Sequence, residues 1–342
     1  MLLTKGLIRV GLPIPAGAEF TLVAVDDPYG YASASELSLF RRPLPATNLR
    51  FLTAVMLDGR ESFKPLGTTP ILSNATPDEN ATALFNDLKH QANDATLGHA
   101  QASSLLTDDQ ATAIAQFELN LATAQQRLHH AGKLDQHGAQ GGPQYVASQL
   151  FYVTINDVLG ADVSGAQFNS DAMTLFGAWA DSKNSKQAAI ARGAKLFGTK
   201  PIAITGVGGL NDALGLPTIQ GTCTTCHDSP NIGNHSVALP IDIGLTDASR
   251  RTSDMPLYTL QNLQTGATRQ TTDPGRALLT GRWSDIGKFK GPVLRGLAAR
   301  PPYFHNGLAA DLGKAVEFYD TRFSIGFTDQ EKDDLVAFLS AL

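Results

Sequence analysis

The residues with the clearest chemistry are Cys223-Thr224-Thr225-Cys226-His227. Two thiols three residues apart, followed at once by a histidine, form the attachment signature of a c-type haem. The spacing has a chemical reason. Each thiol adds across one haem vinyl group, the two intervening residues set the distance between them, and the adjacent imidazole reaches the iron from the proximal side. These are the only two cysteines in the chain. A structural zinc site needs about four ligands. No second cysteine pair or nearby H-x3-5-H completes one, and His235 adds one ligand at most. A thioredoxin-type pair wants a βαβ setting, whereas this motif follows a glycine-rich approach over 206–221. A plain disulfide leaves His227 without a role.

At 342 residues the chain has room for two modest domains. A composition of 42% hydrophobic and 17% charged residues is ordinary for a globular protein. The net charge of −5 offers no basic surface for nucleic acid. No apolar run approaches the length of a membrane span. Haem is attached to such motifs beyond the membrane, so a periplasmic location is expected if the chain is exported. The first residues do not read as an export signal, because Lys5 and Arg9 interrupt the apolar run and Pro13 and Pro15 follow closely. Either the natural start lies upstream, or this form stays in the cytoplasm without haem.

The elements that must position the motif follow from pattern. Residues 1 to about 75 read as irregular and strand-rich, with a strand over 20–25 ended by Asp26-Asp27-Pro28. Prolines keep 41–45 extended, 68–80 reads as a surface loop, and a helix is expected near 81–92. Thr107 and Gln110 have capping-box spacing. Ile114, Phe117, Leu121, Ala124 and Leu128 then mark one helical face. His129, His130 and His137 lie in or beside a loop over 132–142 and read as solvated. A helix over 185–197 leads to the motif, and 198–310 reads as mostly loop, which suits a fold wrapped around a large cofactor. Two short helices close the chain. Leu312, Ala315, Val316 and Tyr319 share a face of the first. Thr328 and Glu331 cap the last, which buries Leu335, Val336, Phe338, Leu339 and Leu342.

The tail carries a family resemblance. The stretch Lys290 to Gly307, with Pro292-Val-Leu-Arg295 and Pro302-Tyr-Phe-His-Asn-Gly307, followed by Ala315-Val-Glu-Phe-Tyr319 and the segment 328–339, resembles the bacterial di-haem cytochrome c peroxidases and their relative MauG. Upstream, 41–60, ending Leu57-Asp58-Gly59-Arg60, resembles the family's R-N-x-P-T…W-D-G-R segment. The resemblance covers most of 40–342, with insertions around 65–100 and 235–285. It implies a mainly α architecture: a cytochrome-c-like haem domain with long loops at 186–342, preceded at 1–185 by an incomplete first, peroxidatic cytochrome-c-like domain and the inter-haem segment. The first C-x-x-C-H of the family is absent.

The resemblance also implies ligands. Cys223 and Cys226 are the thioether anchors and His227 the proximal ligand. The distal ligand falls at Tyr319, where the peroxidases carry Met and MauG carries Tyr; spacing alone would make this side chain core. An anionic oxygen stabilises ferric iron and lowers the potential relative to a His/Met site. The rivals are Met255, His305 and His235. Arg295 is expected to pair either with a haem propionate or with a surface carboxylate. Three departures weigh against peroxidase chemistry. Leu57 replaces the family's relay Trp. No carboxylate stands near 97–101, where His99 and Gln101 are the closest candidates. Arg42 replaces the Asn of a calcium site, which argues against calcium by charge repulsion. The reading is therefore an electron-transfer protein with one covalent haem c and a small cytochrome or cupredoxin donor. Its alternatives are a peroxide-reducing peroxidase or MauG-like oxidase whose first haem domain lies upstream, and a non-functional truncated fragment.

Overall fold

The computed structural model describes residues 5–61, 76–237 and 239–342. Its N-terminal part is built from strands. β1 (Ile8–Leu12) pairs antiparallel with β3 (Leu37–Arg41), Val10 opposite Leu39. β3 is buried along its whole length, which is why it reads Leu-Ser-Leu-Phe-Arg without alternation. The expected strand over 20–25 is β2 (Phe20–Asp26). It leaves the first pair and joins β8 (Leu257–Asn262), itself paired with β9 (Thr268–Thr271). On β8 Tyr258 and Leu260 turn inward onto Phe20, Leu37 and Leu39.

α1 (Pro77–Gly98) starts at a capping box of Thr76 and Glu79, and α2 (Asp108–Asn120) at the expected box of Thr107 and Gln110. The face of α2 differs from expectation. Ala111 and Ala115 are buried, whereas Ile114 and Phe117 are 37% and 65% exposed, and the helix ends before Leu121, Ala124 and Leu128. Ala115 packs in one cluster with Leu84 and Leu88 of α1, so the small-residue stripe faces the neighbour. Most of the expected loop over 68–80 lies outside the described residues; the described part already opens α1 at Pro77.

In the second half α3 (Ser185–Thr199) packs across α5 (Asp329–Ala341), which opens at the expected Thr328 and Glu331 box. A Cβ on Gly193 would lie 2.0 Å from the Asp334 carbonyl oxygen, so only glycine lets the two backbones approach this closely. Ile190, Ala194, Phe197, Leu335, Phe338 and Leu342 form the contact, with Phe176 and Trp179 beneath. Val336 and Leu339 are half-buried. Each fully buried Ile or Phe here contributes about 1.5–3 kcal/mol relative to exposure. α4 (Leu312–Phe323) is capped by Asp311 and buries Leu312, Ala315 and Val316 as expected, with Tyr319 half-buried. The stretch 198–310 is more regular than its glycine and proline content suggests. Besides β8 and β9 it contains the antiparallel pair β6 (Ile202–Thr205) and β7 (Thr218–Gly221), which delivers the chain to Cys223.

A buried ion network ties the two halves together. Arg41 bonds Asp58 at 2.6 Å and Asp273 at 2.7 and 2.9 Å, and Arg60 reaches the same Asp58. No helix among the described residues is long and apolar enough to cross a membrane.

Candidate functional site

The motif sits in a single helical turn. Cys223 accepts from the amides of Cys226 and His227 at 3.3 and 3.1 Å. The turn is closed by the Thr222 amide on Thr225 Oγ1 at 2.9 Å and anchored by the Thr224 hydroxyl on the Ser170 carbonyl. Both thiols are free and half-buried. Burial pushes Cys223 up to about 12. Burial, then the charge of Asp228, does the same for Cys226. The thiols therefore stay protonated at neutral pH.

His227 is held by a second loop. Its Nδ1 lies 2.6 Å from the Gly233 carbonyl oxygen. A carbonyl only accepts, so Nδ1 carries the proton and Nε2 presents its lone pair. Burial pushes the imidazole down to about 4, so it is neutral at physiological pH, the form that binds a metal. A backbone carbonyl on Nδ1 is the usual outer partner of a metal-bound histidine. Gly233 has φ +77, and a Cβ there would lie 2.6 Å from Met173 Cε and 3.0 Å from Leu294. The carbonyl is placed where it is by a residue that only glycine can be.

The loop after His227 is polar and buried. Asp228 accepts from the Ser236 amide at 2.6 Å and meets His235 Nδ1 at 3.1 Å. His235 Nε2 and the side-chain oxygens of Ser229, Asn234 and Ser236 have no partner among the described residues. Beside them lies Arg295, 1% exposed. Its Nη2 donates to the Asn231 carbonyl, while Nε and Nη1 have no acceptor. It makes no ion pair among the described residues, so the expected alternative of a surface carboxylate is not what the structure shows. Burial holds the guanidinium below its ordinary value, as expected of a buried cation without an anion.

Burial first, and then the negative charge that Cys226 and Cys223 carry once ionised, raise the Tyr319 phenol above the ordinary range. Phe318, Phe304 and Phe323 surround its ring at 5.2, 6.0 and 6.5 Å. The structure thus brings Cys223, Cys226 and Tyr319 together, with His227 adjoining the thiols. Met255 is elsewhere, packed with Leu7 and Phe40. His305 stacks on Phe289 at 4.2 Å, with Nε2 unpartnered among the described residues. Residues 97–101, including His99 and Gln101, are exposed. Arg42 donates to the Arg300 carbonyl at 3.2 Å.

Sequence reasoning missed Gly233, the Asp228–His235 pair and Lys290. The Lys290 Nζ donates to the Ala54 carbonyl at 2.8 Å, its amide meets the Leu57 carbonyl at 3.1 Å, and burial lowers the amine to about 7. An Asp directly after the motif and a Gly six residues past His227 were the only local signals.

These groups fit a c-type haem. Two reduced thiols, a neutral imidazole with Nδ1 fixed, and a buried unpaired cation are the functions such a group needs. No protein-family model matches the chain. Over 35% of its length it is similar to proteins named cytochrome-c peroxidase IdrP1, at 31% identity to that of Pseudomonas sp. (strain SCT) and 32% to that of Denitromonas iodatirespirans, with 36% of each relative covered. A cytochrome c551 peroxidase of Nitrosomonas europaea is 30% identical over 35% of the chain and 30% of the relative. The chain spans about a third of the length of the curated relatives it matches.

Proposed function

We propose that the chain is an electron-transfer protein of the di-haem cytochrome c peroxidase family that carries one covalent haem c. Cys223 and Cys226 would hold the group by thioether bonds, His227 Nε2 and the Tyr319 oxygen would face the iron, and Arg295 would take a propionate. In this reading 186–342 is a cytochrome-c-like haem domain and 1–185 an incomplete first domain. The observation that carries the reading is the 2.6 Å bond from His227 Nδ1 to the Gly233 carbonyl, which leaves the Nε2 lone pair available to a metal.

When bound, haem c supplies a one-electron couple. The chain's own residues set its terms. Gly233 keeps the imidazole in one tautomer and raises its basicity as a ligand. An oxygen ligand from Tyr319 would favour the ferric state of the bound haem. Phe197, 5.8 Å from the His227 ring, helps exclude water on that side. If His227 and Tyr319 both held the iron, peroxide would find no open site on it, so electron transfer would be the natural role. A small cytochrome or cupredoxin serves as donor, Arg42 stands against calcium, and export would place the protein in the periplasm. Peroxide reduction is the second reading, favoured by the names of the relatives.

The test is spectroscopic. The chain is expressed behind an export signal with haem-maturation machinery, and its optical and EPR spectra are compared with those of Tyr319→Phe and Met255→Leu. The proposal expects a low-spin ferric haem that changes in the first variant and not in the second. A high-spin, peroxide-reactive haem in the unmodified chain overturns it in favour of the second reading.

A further inference from the structure

A broad cleft of about 730 Å³ opens where the β4–β5 hairpin (Arg127–Leu128 and Gly132–Lys133) meets the start of α3. Its rim carries Arg127, His129, His130, His137 and Lys183, all exposed. Neither Arg127 nor Lys183 makes an ion pair among the described residues, and no carboxylate lines the cleft. Asp135 and Asp181 are near in sequence but stand outside it. The amino end of the 15-residue α3, capped by Asn184, opens into the same space and adds the positive pole of the helix. On a chain of net charge −5 this is a local reversal of sign.

The floor of the cleft connects to the proximal histidine. The Gln136 carbonyl, on the lining, accepts the Trp179 indole N–H at 3.0 Å. From Trp179 ring contacts run without a break to Phe176 at 5.4 Å, Phe338 at 6.3 Å, Phe197 at 5.6 Å and His227 at 5.8 Å. Along α3, Gln187 at the cleft and Phe197 beside His227 are ten residues apart, a rise of roughly 15 Å.

We propose that this cleft is the docking surface for a small acidic redox protein that reduces the haem. The inference rests on the electron-transfer reading above and adds to it the place and charge of the partner. One electron would leave the reduced partner, oxidising it by one unit, and would reduce the ferric iron of the haem that His227 would hold. No bond forms or breaks. Opposite charge at the two surfaces raises the encounter rate and fades with salt.

The experiment uses the haem-loaded chain and, as probe, an acidic cupredoxin of the plastocyanin type. Binding of the oxidised probe is followed by calorimetry and reduction of the haem by stopped flow, both at low salt. The Arg127→Glu/Lys183→Glu variant is compared with Lys195→Glu/Arg282→Glu, an equal charge change elsewhere on the exposed surface. The proposal expects the first pair to weaken binding and slow reduction by about tenfold or more, to flatten the salt dependence, and to leave reduction by dithionite unchanged. The second pair should change little. Equal effects of the two pairs, a larger effect of the second, or no binding of the probe to the unmodified protein would overturn it. The calorimetry is repeated on the chain without haem. Absence of covalent haem would therefore defeat the electron-transfer reading, while binding of the probe and its loss in the first pair still decide the docking surface.

Discussion

Two buried arginines in this molecule have opposite surroundings. Arg41, 5% exposed, is met by Asp58 and Asp273 through Nε, Nη1 and Nη2. Arg295, 1% exposed, has one carbonyl, and its Nε and Nη1 find no acceptor among the described residues. Burial alone disfavours both charges; at Arg41 the two carboxylates overcome it and raise the guanidinium above its ordinary value, and at Arg295 nothing does. The first is a closed structural joint between the halves of the chain. The second is a buried cation near the 223–227 motif, and no anion among the described residues meets it.

The largest expected effect comes from breaking the closed joint. Arg41→Ala leaves Asp58 and Asp273 buried without their cation and should cost about 3–5 kcal/mol, equally with and without haem, as measured by urea unfolding. Arg295 should behave differently in the two states. Arg295→Met should stabilise the haem-free chain by about 1–3 kcal/mol, because an unsatisfied buried group disappears. It should destabilise the loaded one, because a propionate loses its partner. The same sign in both states would contradict the comparison.

Acid gives a third test. Burial raises Asp58, yet the bonds from Arg60 and the charges of Arg41 and Arg60 outweigh it and hold the carboxyl at about 2, against 3.8 for the free group. A folded-state value below the unfolded one means the contribution is complete above about pH 4 and is lost as the pH falls towards 2. The lost stability amounts to about 2 kcal/mol. Denaturant midpoints between pH 5 and 2 should fall in the natural chain, and the fall should be smaller in Asp58→Asn. The smallest effect is expected at Phe117, where Phe117→Ser should change stability by no more than about 0.5 kcal/mol. Ala115→Leu, on the face that meets α1, should cost about 1–3 kcal/mol by overpacking.

That contrast on α2 also shows where sequence stops being informative. The caps at Thr107 and Thr328 are local, a side chain bonding an amide three residues on, and could be read from spacing. Which face of α2 is buried depends on α1, and a stripe of alanines allowed closer approach than Ile114 and Phe117 would. The motif 223–227 was legible because its chemistry is contained in five residues. The Gly233 carbonyl, the orphaned donors of Arg295 and the Lys290–Ala54 bond depend on loops that meet only after folding, and no periodicity announces them. Likewise β8 could not be paired with β2 from pattern alone, since the two strands, Leu257–Asn262 and Phe20–Asp26, are far apart in sequence.

Attachment is read from the intact mass of the exported, denatured chain, measured beside that of Cys223→Ser/Cys226→Ser. The natural chain should retain the mass of one haem through denaturation, and the double variant should carry none. A natural chain with unmodified thiols under the same conditions would contradict the proposed attachment.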